Sequence, residues 1–130
     1  MKKKSQNVRV AFFGVKEGER ELIEKEISRL NVYGVGIFEK EVQEDMKLAS
    51  EYEVISVFIS SVMDKKCLDK LPKLKLLVTR STGMDHIDGQ ECKKRKIKVV
   101  NVPEYGSKTV AEYTMGLLLA VTKKIVVAHE

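Results

Sequence analysis

Cysteine and histidine are scarce in this sequence, which contains only two of each among its 130 residues. Cys67 and Cys92 belong to no paired motif, so the sequence favours reduced thiols over a disulfide framework or a cysteine-ligated zinc site. His86 has no further histidine or cysteine at a suitable ligand spacing, so a surface or hinge position is favoured over a metal site. His129 lies one residue from the terminus, where chain ends fray. No metal site is predicted.

Long hydrophobic runs are also missing. The longest, from Met115 to Val121, falls well short of the roughly 18 residues that a membrane-spanning helix needs. The basic start of the chain is followed by no apolar signal-peptide core, so a cytoplasmic protein without membrane contact is expected. With 43% hydrophobic and 33% charged residues, the composition is that of an ordinary globular protein, and the length suits a single domain.

Positive charge is in modest excess, at +5. Residues 1–7 carry three of the lysines and are predicted to form a flexible basic tail. A second basic cluster runs from Lys93 to Lys98 and admits two interpretations: nucleic-acid binding, or the solvated end of a helix whose cations complement its dipole. The second is favoured because no aromatic or glycine-rich RNA-binding signature lies among the basic residues, and no nucleic-acid partner is expected.

Apolar stretches with strand-like and helix-like spacing alternate along the chain. The strand-like stretches cover residues 8–13, 35–38, 54–59, 74–79 and 97–102. The stretches with helical spacing cover residues 17–30, 42–49, 63–71, 85–96 and 108–127. Such alternation with short connections predicts a parallel sheet with helices on both faces. The natural strand order is 2-1-3-4-5, an α/β flavodoxin-like fold that ends in a long helix.

Ligands of open α/β sheets bind beyond the carboxyl ends of the strands. The fourth such end is the most informative, because Ser81, Thr82 and Gly83 form a short loop and a helix is predicted to start near Asp85. Successive backbone N–H groups and the positive helix end would together form a small anion site, suited to a carboxylate. The alternative is structural: Ser81 and Thr82 cap the helix, and Gly83 supplies an unusual φ.

Two motifs in the C-terminal half resemble a known family. The segment from Arg80 to Asp88 reads RSTGMDHID and matches the pattern R-S-x-G-x-D-x-I-D. The segment from Asn101 reads NVPEYG and precedes Val110-Ala111-Glu112. Both are similar to the substrate-binding domain of the D-isomer-specific 2-hydroxyacid dehydrogenases. The resemblance is specific from Pro72 to Lys124, whereas upstream only the strand spacing and the apolar third strand agree.

The resemblance implies functions for particular residues. The backbone amides of Thr82 and Gly83, with Ser81 alongside, would bind the substrate carboxylate, and Tyr105 would lie at the substrate mouth. The implied reaction is hydride transfer between NAD and a 2-hydroxy or 2-oxo acid. Gly106 stands in place of the family's usual serine, which leaves the choice of substrate open.

The dinucleotide fingerprint G-x-G-x-x-G is missing. The only G-x-G, Gly34-Val35-Gly36, has no third glycine and opens a strand instead of following one. In the family, the catalytic arginine, glutamate and histidine come from the cofactor domain and the segment after it, and no residue of this chain corresponds to them. The chain alone is therefore expected to bind no cofactor, to contain no catalytic residue and to show no turnover.

The C-terminal segment carries two further predictions. Thr109 and Glu112 have capping-box spacing, an interpretation favoured over a catalytic role for Glu112. The helix over residues 108–127 is apolar on all faces in its middle, and a homodimer partner or a separate cofactor-domain chain would have to cover it. The favoured function is the substrate-binding domain of an NAD-dependent D-2-hydroxyacid dehydrogenase. The alternative is an orphan non-catalytic domain that binds a small carboxylate or a partner protein.

Overall fold

The computed structural model describes residues 8–30 and 34–129, and the predicted basic tail over residues 1–7 lies outside them. The strands of this part are β1 Val10–Phe12, β2 Val35–Ile37, β3 Val54–Val57, β4 Leu76–Thr79 and β5 Lys98–Val100. Its helices are α1 Glu17–Leu30, α2 Met46–Ala49, α3 Lys65–Asp69, α4 Gly89–Lys94, α5 Ser107–Thr122 and α6 Ile125–His129, and a 3-10 turn spans Val42–Glu44. Strands and helices thus alternate as the apolar spacing predicted.

The strands form one parallel sheet in the order β2-β1-β3-β4-β5. This confirms the predicted flavodoxin-like order. Ala11 of β1 lies beside Ile55 of β3, which in turn lies beside Leu77 of β4. Because all strands run in the same direction, their carboxyl ends and the loops that follow them lie along one edge of the sheet.

One face of the sheet carries the hydrophobic core. Ala11, Ile55 and Leu77 are fully buried on this face, and Leu68 of α3 and Cys92 of α4 belong to the same buried cluster. Burial of a leucine or isoleucine side chain, such as Ile55, Leu77 or Leu68, stabilises a fold by about 1.5–3 kcal/mol. The packing of α2, α3 and α4 on this face therefore fixes the loops at the sheet's carboxyl edge.

The opposite face is covered by α1, and less completely. Ile23 and Ile27 of this helix are half-buried, and none of its side chains is fully buried. Arg20 donates from Nη2 to the carbonyl of Ile37 at 3.1 Å, which places α1 beside β2. Val78 of β4 stays only half-buried. Helices lie on both faces, as predicted, but the core is concentrated on one.

The helix predicted over residues 85–96 is shorter than its apolar spacing indicated. It begins at Gly89, directly after its N-cap Asp88. The preceding residues are used differently, because Met63 and Ile87 form a parallel β-bridge. Such a contact between distant parts of the chain competes with helix formation and is not visible in local spacing.

The last helix is also shorter than predicted. The sequence predicted one helix over residues 108–127, whereas α5 ends at Thr122 and Lys124 adopts a φ of 51° before α6 begins. A residue in the left-handed region does not continue a right-handed helix. The weak helix predicted over residues 42–49 is likewise divided into the 3-10 turn and the single turn of α2.

α5 is apolar but contributes no buried side chain. Leu117, Leu118 and Leu119 occupy consecutive positions around the helix and are 50%, 53% and 49% exposed. Exposed apolar side chains grouped on one element commonly mark a site of interaction with another molecule. In the part of the chain that the structure describes, no helix is both long enough and apolar enough to cross a membrane.

Candidate anion site after the fourth strand

Arg80, the first residue after β4, fixes the start of the candidate loop. Its guanidinium donates from Nη2 to the carbonyls of Phe13 and Gly14, both at 3.0 Å, and from Nη1 to the hydroxyl of Ser56 at 3.2 Å. Burial lowers the pKa of Arg80, and the carboxylate of Glu19 acts in the opposite direction. Because these donors point at the protein's own oxygens, the guanidinium ties β4 to β1 and β3 and is a structural group.

The three carbonyls of the loop all accept hydrogen bonds inside the protein. The carbonyl of Ser81 accepts from the amide of Val102 at 3.0 Å, and that of Thr82 accepts from Nδ2 of Asn101 at 2.8 Å. The carbonyl of Gly83 accepts from the hydroxyl of Ser81 at 2.8 Å. A donor on the carbonyl side therefore fixes each of the three successive peptide planes.

The same planes direct their N–H groups away from these internal donors, because the peptide bonds are trans. The N–H groups belong to Thr82, Gly83 and Met84, and none donates to a backbone or side-chain acceptor within residues 8–30 and 34–129. All three residues are exposed. Successive backbone amides held in this way are suited to an anion such as a carboxylate.

Gly83 is required neither by its backbone conformation nor by packing. The glycines with positive φ in the described part of the chain are Gly14 and Gly34, so the interpretation that Gly83 supplies an unusual φ is wrong. A Cβ added at Gly83 would come no closer than 3.6 Å to another heavy atom, Oδ2 of Asp85, which is an ordinary contact.

The position of α4 corrects two further expectations. Its cap is Asp88, whose carboxylate accepts from the amide of Glu91 at 2.9 Å, so Ser81 and Thr82 do not cap the helix. The helix was predicted to start near Asp85, with its positive end beside the loop. It starts at Gly89 instead, so no helix N-terminus directly follows the loop.

Ser81 and Tyr105 differ in what they offer a ligand. Ser81 is 6% exposed and its hydroxyl proton goes to Gly83, so this side chain acts within the loop. Tyr105 is 75% exposed and follows Asn101, the residue that bonds the loop, by four positions. Its neighbour Glu104 has a φ of 57°, which marks a sharp change of chain direction. The phenol is therefore presented to solvent on a segment that is anchored to the loop.

A second polar cluster joins the loops after β2 and β3, beside the loop after β1. The carboxylate of Glu41 accepts from the hydroxyls of Ser60, at 2.6 Å, and Ser61. Gly14 has a φ of 62° and lies so close that an added Cβ would be 2.7 Å from both carboxylate oxygens. The donors and acceptors of this cluster bond one another, so it stabilises the edge of the sheet.

The G-x-G segment serves packing in the structure. Gly36 lies within β2, and an added Cβ would lie 2.5 Å from the ring of Phe38 and 2.6 Å from the hydroxyl of Tyr52. These distances leave no room for a side chain, because the aromatic groups of the core occupy the space. The glycine is thus explained without a nucleotide.

Two predictions about charged residues have different outcomes. Lys93 and Lys94 lie in the last turn of α4, as the helix-end interpretation of the basic cluster predicted. The predicted capping box is wrong, because α5 is capped at Gly106 without a side-chain bond and Glu112 pairs with Lys108 at 3.7 Å.

Sequence reasoning did not identify Asn101, Val102 and His86 as residues that shape the loop. Asn101 and Val102 follow β5, and the predicted strand order places β5 beside β4, so the order contained a signal for them. His86 was interpreted as a surface or hinge residue, whereas its Nε2 lies 3.0 Å from Oγ1 of the buried Thr79. No local pattern reveals that contact.

Comparisons with known proteins agree with this geometry. The profile named D-isomer specific 2-hydroxyacid dehydrogenase, catalytic domain, matches residues 10–128. A 2-hydroxyacid dehydrogenase homolog of Zymomonas mobilis is 33% identical over 120 residues, which are 91% of this chain and 36% of that protein. A glyoxylate reductase of Thermofilum pendens is 37% identical over 88 residues, which are 68% of this chain and 26% of that protein.

A solved structure shows the same relationship. The D-lactate dehydrogenase of Aquifex aeolicus, crystallised with NAD and lactic acid, superposes with a TM-score of 0.78 and 33% identity over 90% of this chain and 34% of that protein. The chain thus spans between 26% and 36% of the length of these three relatives. The strand order, the loop motifs and the profile match together show that the chain belongs to the D-isomer specific 2-hydroxyacid dehydrogenase family, within its catalytic domain.

Proposed function

We propose that this chain is the substrate-binding domain of an NAD-dependent D-2-hydroxyacid dehydrogenase. The loop of Ser81, Thr82 and Gly83 binds the carboxylate of a 2-hydroxy or 2-oxo acid through backbone amides. The observation that supports this most strongly is that three consecutive carbonyls are bonded internally, while the N–H groups of the same peptides have no acceptor among the described residues. The relative from Aquifex aeolicus was crystallised with lactic acid, a ligand of this class.

The loop's part in such a reaction is to bind and orient. Fixing the carboxylate presents the adjacent C2 atom of the acid at a defined place, which lowers the entropic barrier to hydride transfer. Tyr105, exposed on the anchored segment after β5, would border the rest of the acid. Backbone amides are neutral donors, and binding to them alone is weaker than to a cationic side chain. We therefore expect millimolar affinity from this chain by itself.

NAD, when bound, supplies the hydride acceptor in this family's reaction, but the described residues do not fit it. The G-x-G glycine Gly36 is packed against Phe38 and Tyr52, and it does not lie in a strand-to-helix turn. We propose that NAD binds to another domain or chain and that the 130-residue chain neither binds NADH nor oxidises D-lactate. Micromolar binding in an NADH fluorescence titration, or turnover that a single substitution in this chain abolishes, would contradict this.

The exposed apolar surface of α5 favours a protein partner. No side chain of this helix is buried, and Leu118 in its middle is 53% exposed. We propose that a second copy of the chain or a cofactor-binding domain covers it, in a cytoplasmic enzyme.

The alternative function is a non-catalytic domain that binds a small carboxylate or a partner protein. Reconstitution of lactate oxidation by adding a separate cofactor domain distinguishes the two, because the non-catalytic alternative predicts none.

Gly83→Ala tests the carboxylate site with little disturbance of the fold, because its Cβ meets only an ordinary contact. We expect pyruvate binding, measured by NMR titration, to weaken by about tenfold or more, since the methyl group blocks approach to the amides. Thr82→Ala should change the affinity little, because the donors are backbone groups. Gly116→Ala, in the open surface of α5, is the matched glycine control. A folded Gly83→Ala variant that binds pyruvate like the wild type would refute the site.

A further inference from the structure

A series of hydrogen bonds leads from His86 to the carbonyl of Gly83. Nε2 of His86 lies 3.0 Å from Oγ1 of Thr79, which lies 2.6 Å from Oγ of Ser81, and Ser81 donates to the carbonyl of Gly83 at 2.8 Å. Thr79 is fully buried and Ser81 is 6% exposed, so water competes little for these hydroxyls. The series connects the loop to an imidazole that has no part in the proposed carboxylate contact.

Each hydroxyl has one proton to donate, and this determines which group donates in each hydrogen bond of the series. Ser81 gives its single hydroxyl proton to Gly83, so its oxygen accepts from Thr79. Thr79 gives its own single proton to Ser81, so its oxygen accepts from His86. Nε2 of His86 must then carry a hydrogen. A proton added to the other ring nitrogen, Nδ1, leaves this donor in place, and the series is the same for the neutral and the charged imidazole.

We propose that His86 is a positioning residue for the carboxylate loop, acting through the two hydroxyls between them. The inference rests on the proposed function of that loop. The Gly83 carbonyl at the end of the series sets the plane of the following peptide, and hence the direction of the Met84 N–H group. The backbone of His86 is itself anchored, because its carbonyl accepts from the amide of Met63 at 2.8 Å. The bridge between Met63 and Ile87 thus supports the loop indirectly.

The tautomer of His86 is the first test and needs no ligand. Nitrogen-15 NMR of the imidazole in the full chain, assigned by comparison with His86→Gln, shows which ring nitrogen carries the hydrogen when the ring is neutral. We expect a single tautomer with the hydrogen on Nε2. A neutral ring with its hydrogen on Nδ1 would overturn the proposal, because Thr79 could then no longer accept from it.

Substitutions separate a positioning role from a packing role. His86→Phe keeps a ring without a donor, Thr79→Val removes the middle hydroxyl, and His86→Gln keeps an N–H donor at about the reach of Nε2. We expect the first two variants to shift the amide resonances of Gly83 and Met84 in the ligand-free protein and to weaken pyruvate binding by about three- to thirtyfold. His86→Gln should restore both the resonances and the affinity toward wild-type values.

These experiments distinguish failure of the positioning role of His86 from failure of the proposed carboxylate function. Amide resonances that stay unchanged in both His86→Phe and Thr79→Val would overturn the positioning role. Loss of binding in His86→Gln equal to that in His86→Phe would do the same, since packing and not donation would then decide. If the wild-type chain binds no pyruvate, the carboxylate function fails, while the tautomer and the ligand-free resonances still decide whether His86 orients the loop.

Discussion

Replacement of Gly14 by alanine brings two separable effects to the carboxyl edge of the sheet. The φ of 62° lies in the left-handed region, which costs a residue with a Cβ about 1–2 kcal/mol. An added Cβ would also lie 2.7 Å from both carboxylate oxygens of Glu41, so this carboxylate must move. Its movement breaks a hydrogen bond from Ser60 or from the fully buried Ser61.

The two effects together give the expected change in the free energy of unfolding of Gly14→Ala. A hydrogen bond to a charged acceptor contributes about 1.5–3 kcal/mol net. Loss of one such bond, added to the backbone effect, lowers the free energy of unfolding by about 2.5–5 kcal/mol in Gly14→Ala. Gly34→Ala is the matched control, because Gly34 has a φ of 74° and no heavy atom within 4 Å of an added Cβ among the described residues. It should lower the free energy by only about 1–2 kcal/mol.

Urea unfolding followed by far-ultraviolet circular dichroism measures both changes. Glu41→Ala completes a double-mutant cycle, in whose background Gly14→Ala should lose only the backbone contribution of about 1–2 kcal/mol. The reasoning is refuted if Gly14→Ala is no more destabilising than Gly34→Ala. It is equally refuted if removal of the Glu41 carboxylate leaves the effect of Gly14→Ala unchanged.

His86 and α5 provide the remaining predictions. Burial lowers the pKa of His86 below its ordinary value of 6.5, with Asp85 acting in the opposite direction. The unfolded chain therefore binds the proton first as pH falls, and stability present above about pH 6.5 is lost below it. The urea midpoint of wild type should fall relative to that of His86→Gln between about pH 8 and pH 5.5, and a constant difference would contradict this. The exposed apolar side chains of α5 predict self-association, so sedimentation at about 100 μM should show a wild-type dimer that Leu118→Glu dissociates. A monomeric wild type, or a variant that dimerises equally well, would exclude this helix as the interface.

The strand order was predictable because local patterns determine it. Short apolar strands such as Val54–Val57 alternate with helices on short connections, and right-handed crossovers then leave few possible sheets. Helix ends were predicted less well. The bridge between Met63 and Ile87 takes residues that local spacing assigned to a helix, and the positive φ of Lys124 interrupts the C-terminal helix without any proline or glycine to signal it.

The loop motif led to the candidate site, but its geometry could not be derived from the sequence. The resemblance pointed to Thr82 and Gly83, whereas the orientation of their peptides depends on Asn101 and Ser81. Asn101 bonds the loop from the segment after β5, and the Ser81 hydroxyl bonds Gly83 within the loop itself. The prediction that a helix dipole contributes to the anion site was wrong, since the helix begins only after its cap Asp88. Hydrogen bonds between residues distant in the chain determine the site, and periodicity carries no information about them.

Chemical-shift mapping with pyruvate shows whether the loop amides bind the carboxylate. In proton–nitrogen NMR spectra of the full chain, titration to millimolar pyruvate should shift the amides of Thr82, Gly83 and Met84 most, with a smaller change at Tyr105. Acetamide, which has the shape of a small acid without its charge, should leave them unshifted at equal concentration. Largest shifts outside residues 80–86, or no shifts at all at millimolar pyruvate, would show that the loop does not bind the carboxylate.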